Sequence, residues 1–147
     1  MFSINTKAPD FDLLDQNEEL HSLSQYIGQW VLLYFYPKDN TPGCTQEACA
    51  IQDNLSDFKN FDIQVLGISS DSTLSHKKFA SKYNLDFPLL SDQNLKVSQL
   101  FKVADLFTAK RASYLIGRDG LIKKVYSSVK PKQHAREVLA DYRELCS

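Results

Sequence analysis

Val31-Leu32-Leu33-Tyr34-Phe35-Tyr36-Pro37-Lys38-Asp39-Asn40-Thr41-Pro42-Gly43-Cys44-Thr45-Gln46-Glu47-Ala48-Cys49 passes directly from a strand into a helix. The unbroken apolar run Val31–Tyr36 has the character of a strand buried on both faces. Pro37 stops it, because a proline has no N–H for the ladder. Apolar positions then fall at Cys44, Ala48, Ile51, Leu55 and Phe58, and spacings of four, three, four and three draw a helical stripe running to about Phe58. Thr41 suits the N-cap and Pro42 the first helical position. Cys44 thereby falls three residues after the cap, where a capping box would carry Glu or Gln.

A thiol at that place is chemically loaded. The first turn of a helix presents N–H groups without helical partners and the positive end of the dipole, and both favour an anion. Cys44 should therefore be enriched in its nucleophilic thiolate form. The plainer reading makes it a small buried hydrophobe.

Cys49 lies five residues further on. On a regular helix that is about 7.5 Å along the axis and about 140° around it, beyond the reach of a relaxed disulfide. If Cys44 and Cys49 pair, the first turns of the helix must unwind. The spacing matches neither a C-x-x-C redox motif nor the usual zinc knuckles. A dithiol of this kind suits a thiol that is oxidised first and rescued by its neighbour afterwards.

Pro37, Thr41, Cys44 and Glu47 resemble the Pro-x-x-x-Thr-x-x-Cys-x-x-Glu signature of the peroxiredoxins. The longer string Tyr34–Asp39, Thr41–Cys44 and Glu47–Cys49 is similar to the peroxiredoxin Q branch, also called bacterioferritin comigratory protein, and a looser likeness covers nearly the whole chain. Arg111-Ala112-Ser113-Tyr114-Leu115-Ile116 resembles that family's Arg-x-Thr/Ser-Phe-Leu-Ile strand, whereas alone, beside Lys110, Arg111 reads as half of a solvated basic pair. The resemblance implies a thioredoxin-like fold and a thiol peroxidase acting on hydrogen peroxide and organic hydroperoxides. Cys44 would be the peroxidatic thiol, and Cys49 would resolve it as an intramolecular disulfide. Thr41 and Arg111 would stabilise the thiolate and the bound peroxide, Pro37 would shield the thiolate from solvent, and Glu47 would hold the arginine. Thioredoxin or a similar dithiol would be the reductant, with no metal, haem or flavin, and the branch tends toward monomers. Gly117 and Gln52 depart from residues common in relatives, as does the segment Val103–Lys110.

The rest of the chain fits one three-layer α/β sandwich, a central mixed sheet flanked by helices, spanning residues 1–147 as a single domain. Asp10–Leu14 and Glu19–Leu23 flank a polar turn and predict an N-terminal hairpin. Ser24–Ile27 predicts a helical turn ended by Gly28. Ile63–Ser69 is a second buried strand, so strand, helix and strand imply a right-handed crossover and a parallel pair. Ser72 should cap a helix burying Leu74, Phe79 and Tyr83 and stopping at Asn84. Residues 92–101 suggest another helix. Ala112–Ile116 and Leu121–Tyr126 form a hairpin about Asp119-Gly120. Pro131 opens a last helix with Ala135, Val138, Leu139, Tyr142 and Leu145 on its apolar face. In an open α/β sheet the loop Pro37–Cys44 lies where sites gather, beyond the carboxyl end of a central strand.

With 17 basic and 18 acidic residues the chain is nearly neutral, which points away from nucleic-acid and membrane surfaces as partners. The N-terminal residues lack an apolar core of signal-peptide length, and three cysteines make a structural disulfide framework unlikely on count alone, so the cytoplasm is the expected location. His21, His76 and His134 are scattered and read as surface or capping residues. Trp30 belongs to the core, and Cys146 to an exposed end. Two other schemes use the same helix start: a peroxidase resolved by Cys146 or an external thiol, and a non-enzymatic anion-binding or redox-sensing module.

Overall fold

The computed structural model describes residues 1–146. Seven strands form one mixed sheet in the order β2-β1-β5-β4-β3-β6-β7. In chain order these are β1 (Asp12–Leu14), β2 (Leu20–Ser22), β3 (Trp30–Phe35), β4 (Ile63–Ser69), β5 (Leu89–Ser91), β6 (Ala112–Ile116) and β7 (Ile122–Tyr126). The helices are α1 (Pro42–Asp53), α2 (Leu55–Asn60), α3 (Thr73–Tyr83), α4 (Lys96–Leu100) and α5 (His134–Leu145), with a 3-10 turn at Leu23–Tyr26. β3 runs parallel to β4, β4 runs parallel to β5, and β6 lies antiparallel on the other side of β3. The expected hairpins β1–β2 and β6–β7, the parallel pair and the thioredoxin-like sandwich are all present.

β3 is buried along its whole length because both faces of the sheet are covered. Trp30, Leu32, Tyr34 and Tyr36 point into a core shared with α1, α2, α3 and α5. Val31, Leu33 and Phe35 point into the other, which holds Val97, Phe101, Ala109 and the N-terminal Ala8 and Phe11. Burying large side chains on both faces contributes roughly 1.5–3 kcal/mol for each fully buried one. The Tyr36 N–H still donates to the Ile68 carbonyl, so pairing ends where Pro37 has no donor to give.

Several local details differ from the sequence reading. The helix expected to run to Phe58 breaks at Asn54, whose side-chain amide donates to the Ala50 carbonyl and separates α1 from α2. The stripe continues across the break, because Ile51, Leu55 and Phe58 are all buried. Only Lys96–Leu100 of residues 92–101 is helical; Asp92 instead accepts from the Val97 and Ser98 amides and the Ser98 hydroxyl. Ser72 caps α3 by accepting from the Ser75 N–H, and Asn84 ends it in the left-handed region at φ 53°. Leu74 and Leu145 face solvent rather than the core. All three histidines, expected at the surface or in caps, are buried, His76 and His134 completely. No helix among the described residues is long and apolar enough to cross a membrane.

Candidate active site

The sheet's topology gathers the site at the carboxyl end of β3. Phe35 pairs with Ala112, so Arg111, the residue just before β6, enters the sheet beside the point where Pro37 leaves it. There the guanidinium spans two helical positions one turn apart: Nη1 donates to Glu47 Oε1 at 2.7 Å and Nη2 donates to Cys44 Sγ at 3.3 Å. The residue that reads, judged alone, as a solvated cation is thus the partner of the Cys44 sulfur.

Glycine at position 43 is what allows this approach. A Cβ there would lie 2.9 Å from Arg111 Nη2 and 3.6 Å from its Cζ. Sequence reasoning gave Gly43 no role, since its only signal is a missing side chain beside the cysteine.

Electrostatics tie the three groups together. Burial pushes the Glu47 carboxyl up to about 7, with the Arg111 guanidinium pulling it the other way. Burial works against the charge on Arg111, but Glu47 and Cys44 beside it raise it above its ordinary value. Arg111 therefore stays a cation facing sulfur on one side and carboxyl on the other. Cys44 is 2% exposed, while Pro37, Thr41, Gly43 and Arg111 around it are half-buried.

Thr41 is the N-cap residue by backbone, φ −88° and ψ 153°, but its side chain does not cap the helix. Its hydroxyl donates to the Lys38 carbonyl at 2.9 Å, so the expected capping bond is replaced by a turn bond within the loop. With its proton engaged there, Oγ1 has only acceptor capacity left to offer. The helix ladder begins with the Thr45 N–H on the Thr41 carbonyl, which leaves the Gly43 and Cys44 amides in the turn ahead of it.

Cys49 lies on α1 with Cys44, half-buried, and all three cysteines are free thiols. Burial, and then the Asp53 carboxylate, push the Cys49 thiol up. Cys146 is elsewhere: with Trp30, Arg118 and Asp119 it lines a cavity near the amino end of β3. The length of that strand, roughly 3.3 Å per residue, separates it from the Cys44 end.

Among the described residues two groups of possible metal ligands converge, Asp15–Glu19–His21 and Asp39–Asp71–His76, each with its donor atoms within 4.8 Å of one another. In both, the histidine already pairs with an aspartate, His21 with Asp15 and His76 with Asp39, at 2.7 Å. Spacing along the chain reveals neither group.

Residues 4–125 match the model of the AhpC/TSA family. The chain is 43% identical over 141 residues to a chloroplastic peroxiredoxin Q of Oryza sativa subsp. japonica, covering 93% of this chain but 65% of the relative, so it spans somewhat under two thirds of that protein's length. It is 39% identical over 150 residues to peroxiredoxin Bcp of Bacillus subtilis, covering 97% of this chain and 96% of that one. The crystal structure of a cysteine-to-serine variant of Xylella fastidiosa PrxQ superimposes with a TM-score of 0.95 at 32% identity, covering 100% of this chain and 99% of that one.

Proposed function

The chain belongs to the AhpC/TSA family, in its peroxiredoxin Q/Bcp branch, and from that premise we propose that it is a thiol peroxidase with Cys44 as the attacking sulfur. The observation that carries this reading is the Arg111 fork joining Cys44 Sγ to buried Glu47. A thiolate beside a fixed guanidinium at a helix start is held as the nucleophile. Cys44 S⁻ attacks the terminal oxygen of a hydroperoxide. The O–O bond breaks as the S–O bond forms, and the leaving oxygen takes a proton to depart as water or an alcohol. Cys44 is then a sulfenic acid. Arg111 and the first-turn amides offset the charge developing across the breaking bond, and Thr41 Oγ1 accepts the peroxide's O–H.

Cys49 resolves the sulfenic acid: its sulfur bonds to Cys44 Sγ and the hydroxyl leaves as water. Both cysteines lie in one continuous helix, so α1 must first unwind through its opening turns. Unwinding also takes Cys49 out of the burial and away from the Asp53 carboxylate that hold its proton on. A thioredoxin-like dithiol then exchanges twice with the disulfide, restoring both thiols and leaving oxidised. The position of Cys146 at the far end of β3 favours Cys49 over Cys146 within one chain. The substrates are hydrogen peroxide and organic hydroperoxides, the molecule acts as a monomer, and a thiol-reducing cytoplasm is its location.

One equivalent of peroxide added to the reduced protein, followed by intact-mass measurement and peptide mapping, tests this. The expected product is a Cys44–Cys49 disulfide that thioredoxin reduces. A protein unchanged in mass, or a disulfide that omits Cys44, overturns the reading.

A further inference from the structure

Two residues after Pro37, the loop toward Cys44 is fastened by a side chain that the chemistry above leaves idle. The Asp39 carboxylate, 5% exposed, meets three groups: the Tyr36 hydroxyl on Oδ1 at 2.6 Å, and on Oδ2 the Ser75 hydroxyl at 2.8 Å and His76 Nδ1 at 2.7 Å. Its backbone N–H donates to Asp71 Oδ2 at 2.8 Å, and the Ser69 hydroxyl donates to the same oxygen at 2.6 Å. The loop is thus tied to the ends of β3 and β4 and to the first turn of α3. Between Asp39 and Thr41, Asn40 stands at φ 65°, in the left-handed region that asparagine adopts more readily than most residues.

The bonding fixes a proton on the ring. His76 is fully buried, and its Nε2 faces the Leu90 carbonyl at 3.0 Å, a group that only accepts. Nε2 therefore carries hydrogen. Nδ1 lies 2.7 Å from Asp39 Oδ2 and 3.4 Å from the Tyr36 hydroxyl oxygen. Burial, followed by the neighbouring Tyr34 and Asp39, holds the Tyr36 hydroxyl protonated, so it remains a donor in this set. The ring and the carboxylate form a hydrogen-bonded pair sealed from water. Such a pair contributes little net stability, but it defines one arrangement sharply.

We infer that His76 is a positioning residue for Cys44. Through Asp39 it clamps the Pro37–Thr41 loop, and the clamp sets how the oxidised site divides between staying folded and unwinding toward Cys49. The inference rests on the peroxidase reading, since it concerns the two steps of that cycle. While the clamp holds, Thr41 and the helix start keep the geometry that peroxide attack needs, and α1 frays against a fixed anchor. With the clamp loosened, the loop moves with the fraying turns. Attack on peroxide slows and disulfide formation quickens. A residue that only supports the fold would not move the two rates in opposite directions.

His76→Gln and Asp39→Asn test this, with Ser72→Ala as the control; Ser72 caps α3 through the Ser75 N–H and does not bond Asp39. Stopped-flow mixing with hydrogen peroxide gives the oxidation rate, and rapid quenching with mass spectrometry gives the rate of disulfide formation. The expected result is a tenfold or greater loss in oxidation rate with a several-fold gain in disulfide formation for both variants, and both rates within twofold of wild type for Ser72→Ala. The Asp39 amide, which donates to Asp71 in the clamped loop, should exchange its hydrogen far more slowly in the reduced wild type than the neighbouring Lys38 and Asn40 amides, a readout that stands even if a variant fails to fold. Parallel changes in both rates, unchanged rates, or an Asp39 amide that exchanges as fast as its neighbours overturn the clamp. A wild type inert to peroxide overturns the peroxidase reading with it, whereas a reactive wild type with an unaltered rate ratio overturns the clamp alone.

Discussion

Arg111 donates to Cys44 Sγ across 3.3 Å although 67 residues separate the two in the chain. The contact exists because β6 pairs antiparallel with β3, so the residue preceding β6 arrives where the loop after β3 begins. The same guanidinium holds Glu47 at 2.7 Å. A planar fork reaches both at once, which the single point charge of a lysine cannot do. Arg111→Lys should keep the charge and lose the geometry. Its oxidation by hydrogen peroxide is expected to fall by about 100-fold, the scale of losing one aimed donor at a developing charge. Stopped-flow rates for the reduced variant check this; a loss of less than about threefold would show that charge alone suffices.

Gly43→Ala separates stability from reactivity. Alanine is favoured over glycine within a helix by roughly 0.5–1 kcal/mol. The new Cβ, however, would stand 2.9 Å from Arg111 Nη2 and push the end of that side chain off the sulfur. The variant should unfold at the same or a slightly higher urea concentration, yet react with peroxide about tenfold more slowly, in keeping with loss of part of one charge-assisted hydrogen bond. Equal peroxide reactivity would show that Arg111 finds another route to Cys44.

Much of this site can be read along the chain, and what escapes does so for physical reasons. Pro37, Thr41, Pro42 and Cys44 are local signals, because strand arrest and helix entry are decided within a few residues. Arg111 carries no such signal; beside Lys110 it looks solvated until strand pairing is known. The break at Asn54 is invisible to periodicity, since Ile51, Leu55 and Phe58 keep their spacing while one amide bonds to the Ala50 carbonyl. His76, expected at the surface or in a cap, is sealed because its ring pairs with Asp39, 37 positions away, which no local pattern names. Leu74 on the same helix is 60% exposed while His76 is sealed, so the partner Asp39, not hydropathy, decides which is inside.

The Glu47 carboxyl gives the fold a pH dependence with a definite sign. In the unfolded chain it titrates near 4.5; in the fold, burial pushes it up to about 7 against the pull of Arg111. A group whose value is raised on folding stabilises most below its unfolded value and loses that contribution as pH rises through its folded one. The Glu47 contribution should therefore be full below about pH 4.5 and gone above about pH 7, a change on the order of 3 kcal/mol. Glu47→Gln removes the titration. Urea unfolding at pH 5 and pH 8 should show a smaller drop in stability for the variant than for the wild type. An identical drop would mean that the carboxylate is already ionised at pH 5.

Cys49→Ser divides the cycle at its midpoint. Cys49 is no partner of Cys44 Sγ in the folded helix, where only Arg111 among the described residues is recorded as a hydrogen-bond donor to that sulfur. Its removal should leave the first oxidation within about twofold of wild type. The sulfenic acid then has no neighbouring thiol, so thioredoxin-coupled turnover should fall at least 100-fold, and excess peroxide should carry Cys44 on to the sulfinic acid. Cys146→Ser should alter neither rate, because Cys146 lies beside Trp30 and Arg118 at the opposite end of β3. Peroxide consumption with a thioredoxin system, read together with the intact mass of the protein, distinguishes the outcomes. Sustained turnover in Cys49→Ser, lost only when Cys146 is also replaced, would transfer the resolving role to Cys146 and require a second chain to deliver it.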